Sequence, residues 1–186
     1  MPSSSNQKAF ALQKRARRIK VLTMDVDGVL TDGRIWLESR PDGTAMEIKG
    51  FHSQDGVRLK MARAAGLRTG LITGRESAAV TRRAHECEIE FVLQRRAEKI
   101  PAYEEILRET GAKDEEVAYI GDDLPDIPVM RRVGLAVAVA NACTEVKKAA
   151  HFVTTRNGGD GAISQVVELI LKAQDKWADA ASRARA

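Results

Sequence analysis

Two cysteines, Cys87 and Cys143, are all that the 186 residues contain, and they stand far apart. Neither belongs to a CxxC pair and no Cys/His cluster has zinc spacing, so both read as small buried or half-buried apolar residues in a reducing compartment. No run approaches the ~20 apolar residues that span a bilayer, and the opening stretch lacks an apolar core of signal-peptide length. A cytoplasmic protein without a membrane partner is expected. Aromatic residues are scarce where charge is dense: Lys14, Arg15, Arg17, Arg18 and Lys20 are accompanied only by Phe10 and Leu12. That leaves no stacking platform for single-stranded nucleic acid. Residues 1–18 therefore read as a solvated basic extension, with no nucleic-acid partner expected. Internal repeats and dividing linkers are absent too, which favours one compact core.

What is present is ordinary soluble composition, 44% hydrophobic and 30% charged with a net charge of +4, arranged as short β-rich runs alternating with helical segments. Ile19 to Met24, Leu67 to Thr73, Val117 to Ile120 and Leu135 to Val139 read as strands, with shorter ones at 91–93 and 152–154. Helical spacing recurs from Val57 to Ala65, Glu76 to Ala84, Ile100 to Leu107, Ile127 to Val133, Thr144 to Ala150 and Ala162 to Ala173. Such alternation predicts an α/β fold, a three-layer Rossmann-like parallel sheet with helices on both faces, spanning 19–174. Residues 34–49 form two extended runs around the turn-forming Ser39 to Gly43 and read as a β-hairpin. An Ala/Arg-rich tail, 175–186, is expected to be flexible. Asp25, Thr73 and Asp122 each follow an apolar run, so all three converge on the carboxyl rim of the sheet, where ligands bind.

Four clusters at that rim carry chemistry. Asp25 and Asp27 are two carboxylates directly after a strand; a divalent cation would relieve their repulsion. One would then attack phosphorus while the other donates and accepts a proton. The same residues would also form a polar Asx turn. Thr73-Gly74-Arg75 offers a hydroxyl, backbone N–H groups and a guanidinium, a phosphate cradle or a simple helix N-cap. Lys99 would neutralise a transferring phosphoryl group or sit solvated on its helix. In Gly121-Asp122-Asp123-Leu124-Pro125-Asp126, Asp122 lies nearest the strand end and suits a metal, whereas Asp126 suits an acidic helix start.

Taken in order, DVDGVLTDG, ITGR, a downstream lysine and GDDLPD resemble the four motifs of the haloacid-dehalogenase-like phosphatases, over almost the whole chain. The resemblance implies that Asp25 is the nucleophile and Asp27 the acid/base, and that Thr73, Gly74 and Lys99 hold the phosphoryl group. It implies Mg²⁺ bound by the carboxylates of Asp25 and Asp122 and the backbone carbonyl of Asp27. Between Asp32 and Asp55 there is room for a hairpin and little else, and no insertion follows Thr73, so a separate cap domain is not expected.

Within that family the chain resembles the capless phosphatases of 3-deoxy-D-manno-octulosonate 8-phosphate and related nonulosonate sugars. Shared segments are Lys49 to Gly56, GDDLPDIPVM and Gly158-Gly159-Asp160-Gly161-Ala162. This likeness implies a pocket for a small phosphorylated sugar acid lined by His52, Ser53, Gln54, Asp55, Gly56, Lys60, Arg75, Arg83 and Lys99, with Arg156 reaching a neighbouring site. It also implies a homotetramer built through the hairpins, whose Ile35, Trp36, Leu37, Met46 and Ile48 are more apolar than a free hairpin should expose. The chain departs from the subfamily in lacking the glycine usual after Gln94, in carrying Lys60 where arginine is usual, and in a shorter Arg156 segment. A phosphatase for other small esters and a non-catalytic subunit of a larger enzyme are the competing readings.

Overall fold

Val21–Met24 is buried at all four positions, as a central strand covered on both faces must be. The computed structural model of the chain describes residues 4–184. In chain order the elements are α1 (Ser4–Arg17), β1 (Val21–Met24), β2 (Trp36–Ser39), β3 (Ala45–Ile48), α2 (Ser53–Ala64), β4 (Arg68–Ile72), α3 (Ala78–Glu86) and β5 (Phe91–Leu93). They continue with α4 (Lys99–Thr110), β6 (Val117–Gly121), α5 (Ile127–Met130), β7 (Leu135–Ala138), α6 (Thr144–Ala149), β8 (Phe152–Val153), α7 (Ala162–Ala173) and α8 (Trp177–Arg183).

Six strands form a parallel sheet in the order β5-β4-β1-β6-β7-β8, as the alternating pattern predicts. The chain builds outward from β1 through β4 to β5, then returns to lay β6 on the other side of β1. That reversal makes the crevice between the carboxyl ends of β1 and β6 the switch point. Val21, Leu22, Met24, Leu71, Ile72, Val117, Ile120 and Val137 fill the core. β2 and β3 form the expected antiparallel hairpin, with Trp36 opposite Ile48, outside the main sheet. Asp42 accepts from the Thr44 backbone N–H at 3.0 Å and its hydroxyl at 2.6 Å, and Gly43 takes the left-handed conformation that closes the turn.

Three expectations need correction. The basic extension is a helix fastened to the body: its charges are exposed, but Ala16 is buried and Arg15 donates to the Gly134 carbonyl at 2.6 Å. The tail also carries structure, because Trp177 offers its ring to Arg58 and Lys172, Ala180 is buried, and Lys176 donates to the Ala65 carbonyl at 2.9 Å. The first three residues of the extension and the last two of the tail lie outside the described residues. The helix expected over 127–133 is a 3-10 turn at Leu124–Asp126 followed by the single turn α5, with Pro125 and Pro128 in the first-turn positions that tolerate a missing N–H. Among the described residues no helix is long and apolar enough to cross a membrane.

Arg95 explains one departure from the family pattern. It holds a left-handed φ of 58° directly after Gln94, whose amide accepts from the Ser77 N–H at 2.7 Å and donates to the Thr81 hydroxyl at 2.8 Å. A glycine reaches this conformation freely, while a branched side chain resists it. Arg95→Val is therefore expected to be less stable than Arg95→Gly by about 1–2 kcal/mol in urea unfolding.

Candidate active site

Asp25 follows β1 directly and its backbone N–H continues the ladder to the Ile120 carbonyl at 3.0 Å. The chain then folds back on itself: the amides of Val29, Leu30 and Thr31 all reach the Val26 carbonyl at 3.3, 2.9 and 3.0 Å. Gly28 makes this turn with φ +92°, and a Cβ there would lie 2.0 Å from Asp122 Oδ2. The close approach brings the loop after β1 against the loop after β6.

Lys99 opens α4 and is buried between Asp25 Oδ1 at 2.9 Å and Asp126 Oδ1 at 2.6 Å. Burial works against its charge, but the two carboxylates outweigh it and hold the ammonium above its usual pKa. Asp126, also buried, is fully engaged: it accepts from Lys99, from the Tyr119 hydroxyl at 2.7 Å, and from the backbone N–H groups of Asp122 and Asp123 at 2.8 and 3.2 Å. One lysine thus faces three acids.

Asp25, Asp122 and Asp126 each place a carboxylate oxygen within 4.8 Å of the others. Burial, partly opposed by Lys99, pushes the Asp25 carboxyl up to about 6, and burial together with the charges of Asp126 and Asp25 pushes Asp122 up to about 8. Asp122 Oδ1 is buried with no hydrogen-bond partner among the described residues. An excess of negative charge and an orphaned carboxylate oxygen at a strand-end crevice fit a hard divalent cation. Asp25 and Asp122 are the side chains free to hold it, since Asp126 is committed to Lys99 and the loop amides.

Thr73 directly follows β4 and is buried, its hydroxyl accepting from the Arg75 backbone N–H at 3.3 Å. Gly74 between them stands 3.7 Å from Ala97 by its missing Cβ, leaving this loop open to a close-lying ligand. Asp27 faces Arg75 Nε at 3.6 Å and bonds to the ammonium of Lys49, at the end of the hairpin. Arg75 in turn pairs with Glu47 of β3. Burial raises the Glu47 carboxyl, but hydrogen bonds from Ser77 and Arg75 and the neighbouring cations carry it below its ordinary value.

A family model of the haloacid dehalogenase-like hydrolases matches residues 71–167. The chain belongs to that family. It is 41% identical over 163 residues to a 3-deoxy-D-manno-octulosonate 8-phosphate phosphatase of Yersinia pestis, covering 88% of this chain and 85% of that one. A probable phosphatase of Pseudomonas syringae has a crystal structure matching with TM-score 0.88 at 45% identity, covering 95% and 98% of the two chains. The 3-deoxy-D-manno-octulosonate 8-phosphate phosphatase of Moraxella catarrhalis, solved with magnesium, phosphate and a KDO molecule, matches with TM-score 0.86 at 38% identity over 92% and 97%.

In this member of the family the residues expected to contact substrate fall into separate groups. Arg75 stands at Asp27, as above. Arg156 donates to Gln54 Oε1 at 3.0 Å and His52 Nε2 lies 3.9 Å from Asp160 Oδ1, while Ser53, between His52 and Gln54 in the chain, is exposed. Arg83 donates to the His52 carbonyl at 3.1 Å and stacks over Phe51, so it supports this loop from beneath. Gly56 is where Arg83 passes, for a Cβ there would lie 2.5 Å from its Nη2.

Two of the expected contacts are redirected. Asp55 is buried and its Oδ1 accepts from the Ser164 backbone N–H at 2.7 Å and hydroxyl at 2.6 Å, anchoring the first turn of α7 rather than facing solvent. Lys60 is exposed on α2 and borders a groove with Met61, Ala64, Ala180 and Arg183.

The Gly158-Gly159 segment supports the loop after β1. The Gly159 N–H donates to the Val29 carbonyl at 3.0 Å, and a Cβ on Gly158 would lie 1.6 Å from the Gly28 carbonyl oxygen. Gly158→Ala should therefore displace the loop bearing Asp25 and Asp27. We expect a stability loss of about 1–3 kcal/mol by thermal or urea unfolding, accompanied by a fall in phosphatase kcat.

Sequence reasoning missed Lys49 and Glu47 as partners of the rim, and Tyr119 and Asp126 as the support of Lys99. For Lys49 a signal existed: a lysine ends the second hairpin run just before the segment shared with the subfamily. Tyr119, one hydroxyl inside an apolar strand, gave none.

Proposed function

We propose that this phosphatase hydrolyses the phosphate monoester of a small sugar acid, 3-deoxy-D-manno-octulosonate 8-phosphate or a related nonulosonate phosphate, with Mg²⁺ and through a phosphorylated Asp25. The observation that carries the reading is the crevice between β1 and β6, where Lys99 bridges Asp25 and Asp126 beside the unpartnered Asp122 carboxylate. The likeness to relatives named as 3-deoxy-D-manno-octulosonate 8-phosphate phosphatases, over nearly the full length of both chains, supports this choice of ester.

An oxygen of Asp25 attacks phosphorus, the bond to the sugar oxygen breaks, and Asp27 gives that oxygen its proton. Water then attacks the phosphoryl group on Asp25, Asp27 takes the proton back, and phosphate leaves with Asp25 restored. Lys99, the Thr73 hydroxyl and the Gly74–Arg75 backbone receive the phosphoryl oxygens and hold them in line. Asp25, Asp122 and the Asp27 backbone carbonyl would hold Mg²⁺, which would supply charge neutralisation for nucleophile and phosphoryl group. Cys87 and Cys143 are free thiols, in keeping with a cytoplasmic site of action.

The test is phosphate release from a panel of esters with Mg²⁺. Sugar-acid phosphates should give the highest kcat/KM. Equal rates on simple sugar phosphates would move the assignment to a broader phosphatase, and no release from any ester would remove it.

We further propose that the hairpins assemble a homotetramer. Trp36 and Leu37 are 57% and 64% exposed; Trp36, Met46 and Ile48 share one face of the hairpin and Leu37 takes the other, with Ile35 exposed beside it, so both faces show more apolar area than monomers usually leave to water. Light scattering should give the mass of four chains, and Trp36→Ser with Leu37→Ser should reduce it. A monomeric wild-type protein excludes the proposal.

A further inference from the structure

The hairpin reaches the rim through two residues whose burial is out of character with the rest of it. Trp36 and Leu37 lie in solvent, yet the Lys49 side chain is 1% exposed and that of Glu47 18%. An unpaired buried ammonium is costly, so its surroundings must compensate it.

They do so as a closed ring of four alternating charges. Lys49 Nζ bonds to Asp27 Oδ1 and lies 3.7 Å from Glu47 Oε1; Glu47 Oε2 pairs with Arg75; Arg75 Nε stands 3.6 Å from Asp27 Oδ2. Each carboxylate sits between two cations and each cation between two carboxylates. The hairpin supplies two members, the loop after β1 one, and the loop after β4 the last.

We infer that Lys49 is a positioning residue for Asp27: the hairpin, through Lys49 and Glu47, sets the carboxylate that exchanges a proton with the leaving oxygen. The inference rests on the phosphatase reading above. Asp27 has two rotatable side-chain bonds and must come within hydrogen-bond reach of one substrate atom. Lys49 bonds to one oxygen while the Arg75 charge stands beside the other, which biases the plane of the carboxylate as well as its place. Asp25, Lys99 and Asp122 are held independently, so loosening the ring should impair proton transfer selectively. A hairpin latch that served stability alone would not discriminate between leaving groups.

That difference is measurable as kcat/KM on two esters, because this quantity covers all steps through cleavage of the ester bond. A sugar or alkyl phosphate has a basic leaving oxygen that needs the proton; p-nitrophenyl phosphate has one that scarcely does. Lys49→Met should lower kcat/KM on the alkyl ester by about 10- to 100-fold, a partial loss of the ~10²- to 10⁴-fold that general acid catalysis supplies, and on the aryl ester by less than about threefold. Lys49→Arg, which keeps the charge and can still reach Asp27, should recover most of the loss. Equal losses on both esters, or none on the alkyl ester, would overturn the inference.

Should Lys49→Met not fold, as judged by its melting transition, Glu47→Gln gives the same contrast in weaker form, and equal losses there are equally fatal. Wild-type protein that cleaves both esters with uniform losses in the variants removes this inference alone. Wild-type protein that cleaves neither removes the phosphatase reading and this inference with it.

Discussion

Asp25→Asn should release no measurable phosphate from any ester while melting, without metal, at or above the wild-type temperature near pH 8. The activity loss follows from the role of the group: the amide cannot attack phosphorus, and enzymes stripped of a nucleophile typically lose about 10⁴-fold or more. The stability expectation is less obvious and comes from the charges around it. Burial holds the Asp25 carboxyl up to about 6 even with Lys99 at 2.9 Å, so its ionised form fits the fold worse than its neutral form. Asparagine imitates the neutral form. The Lys99 ammonium keeps Asp126 at 2.6 Å, and Asp122 loses one neighbouring charge. A phosphate assay and a thermal melt on the same preparation therefore separate catalysis from folding, and a variant that retains phosphate release would end the assignment of Asp25.

This separation of roles also marks how far the sequence could be read. The parallel sheet was legible because apolar runs of strand length alternate with helical periodicity, and because Asp25, Thr73 and Asp122 each stand just past such a run. The same rule put Lys99 near the start of its helix but not what holds it there. Asp126 reads as an ordinary acid at a helix start, and it does accept the amides of Asp122 and Asp123. Its second oxygen, however, faces Lys99 and Tyr119 across sequence distances no local pattern spans.

Polar side chains were harder to assign than elements for a related reason. Asp55 and Arg83 carry the types expected of a sugar-acid pocket; one carboxylate oxygen of Asp55 accepts from Ser164, and Arg83 donates to the His52 carbonyl and pairs with Glu86. Charge and hydrogen-bonding capacity are visible in a sequence; which partner consumes them depends on packing. The termini show the complementary failure. Their charge density suggested solvated ends, but Ala16, Trp177 and Ala180 supply enough apolar contact to dock two helices. The Gly158-Gly159 pair is visible in the sequence only as part of a segment shared with the subfamily; that the Gly28 carbonyl stands where a side chain would be is set by packing between distant loops.

Magnesium should raise the melting temperature, and raise it more at alkaline than at acidic pH. Asp25 and Asp122 have folded-state pKa values pushed up to about 6 and about 8 from an ordinary 3.8, so both favour the protonated form in the folded protein. A group raised in this way contributes stability that is fully present below its unfolded pKa and is lost as pH rises through its folded pKa. Without metal, these two acids should therefore weaken the protein progressively between about pH 4 and pH 8. The cation reverses the sign, because it takes the deprotonated oxygens: binding below about pH 8 must expel protons, and affinity climbs with pH until both acids are ionised. At a hundredfold excess over its dissociation constant the ion adds about 2.7 kcal/mol, so the shift is readily seen. Melts with chelator and with Mg²⁺ should diverge steadily between about pH 5.5 and pH 8.5. Asp122→Asn should flatten that divergence, having lost both a ligand and the higher-titrating acid. A metal-induced shift that is constant with pH, or unchanged in this variant, would mean that the ion is held by other groups than the pair at the β1–β6 crevice.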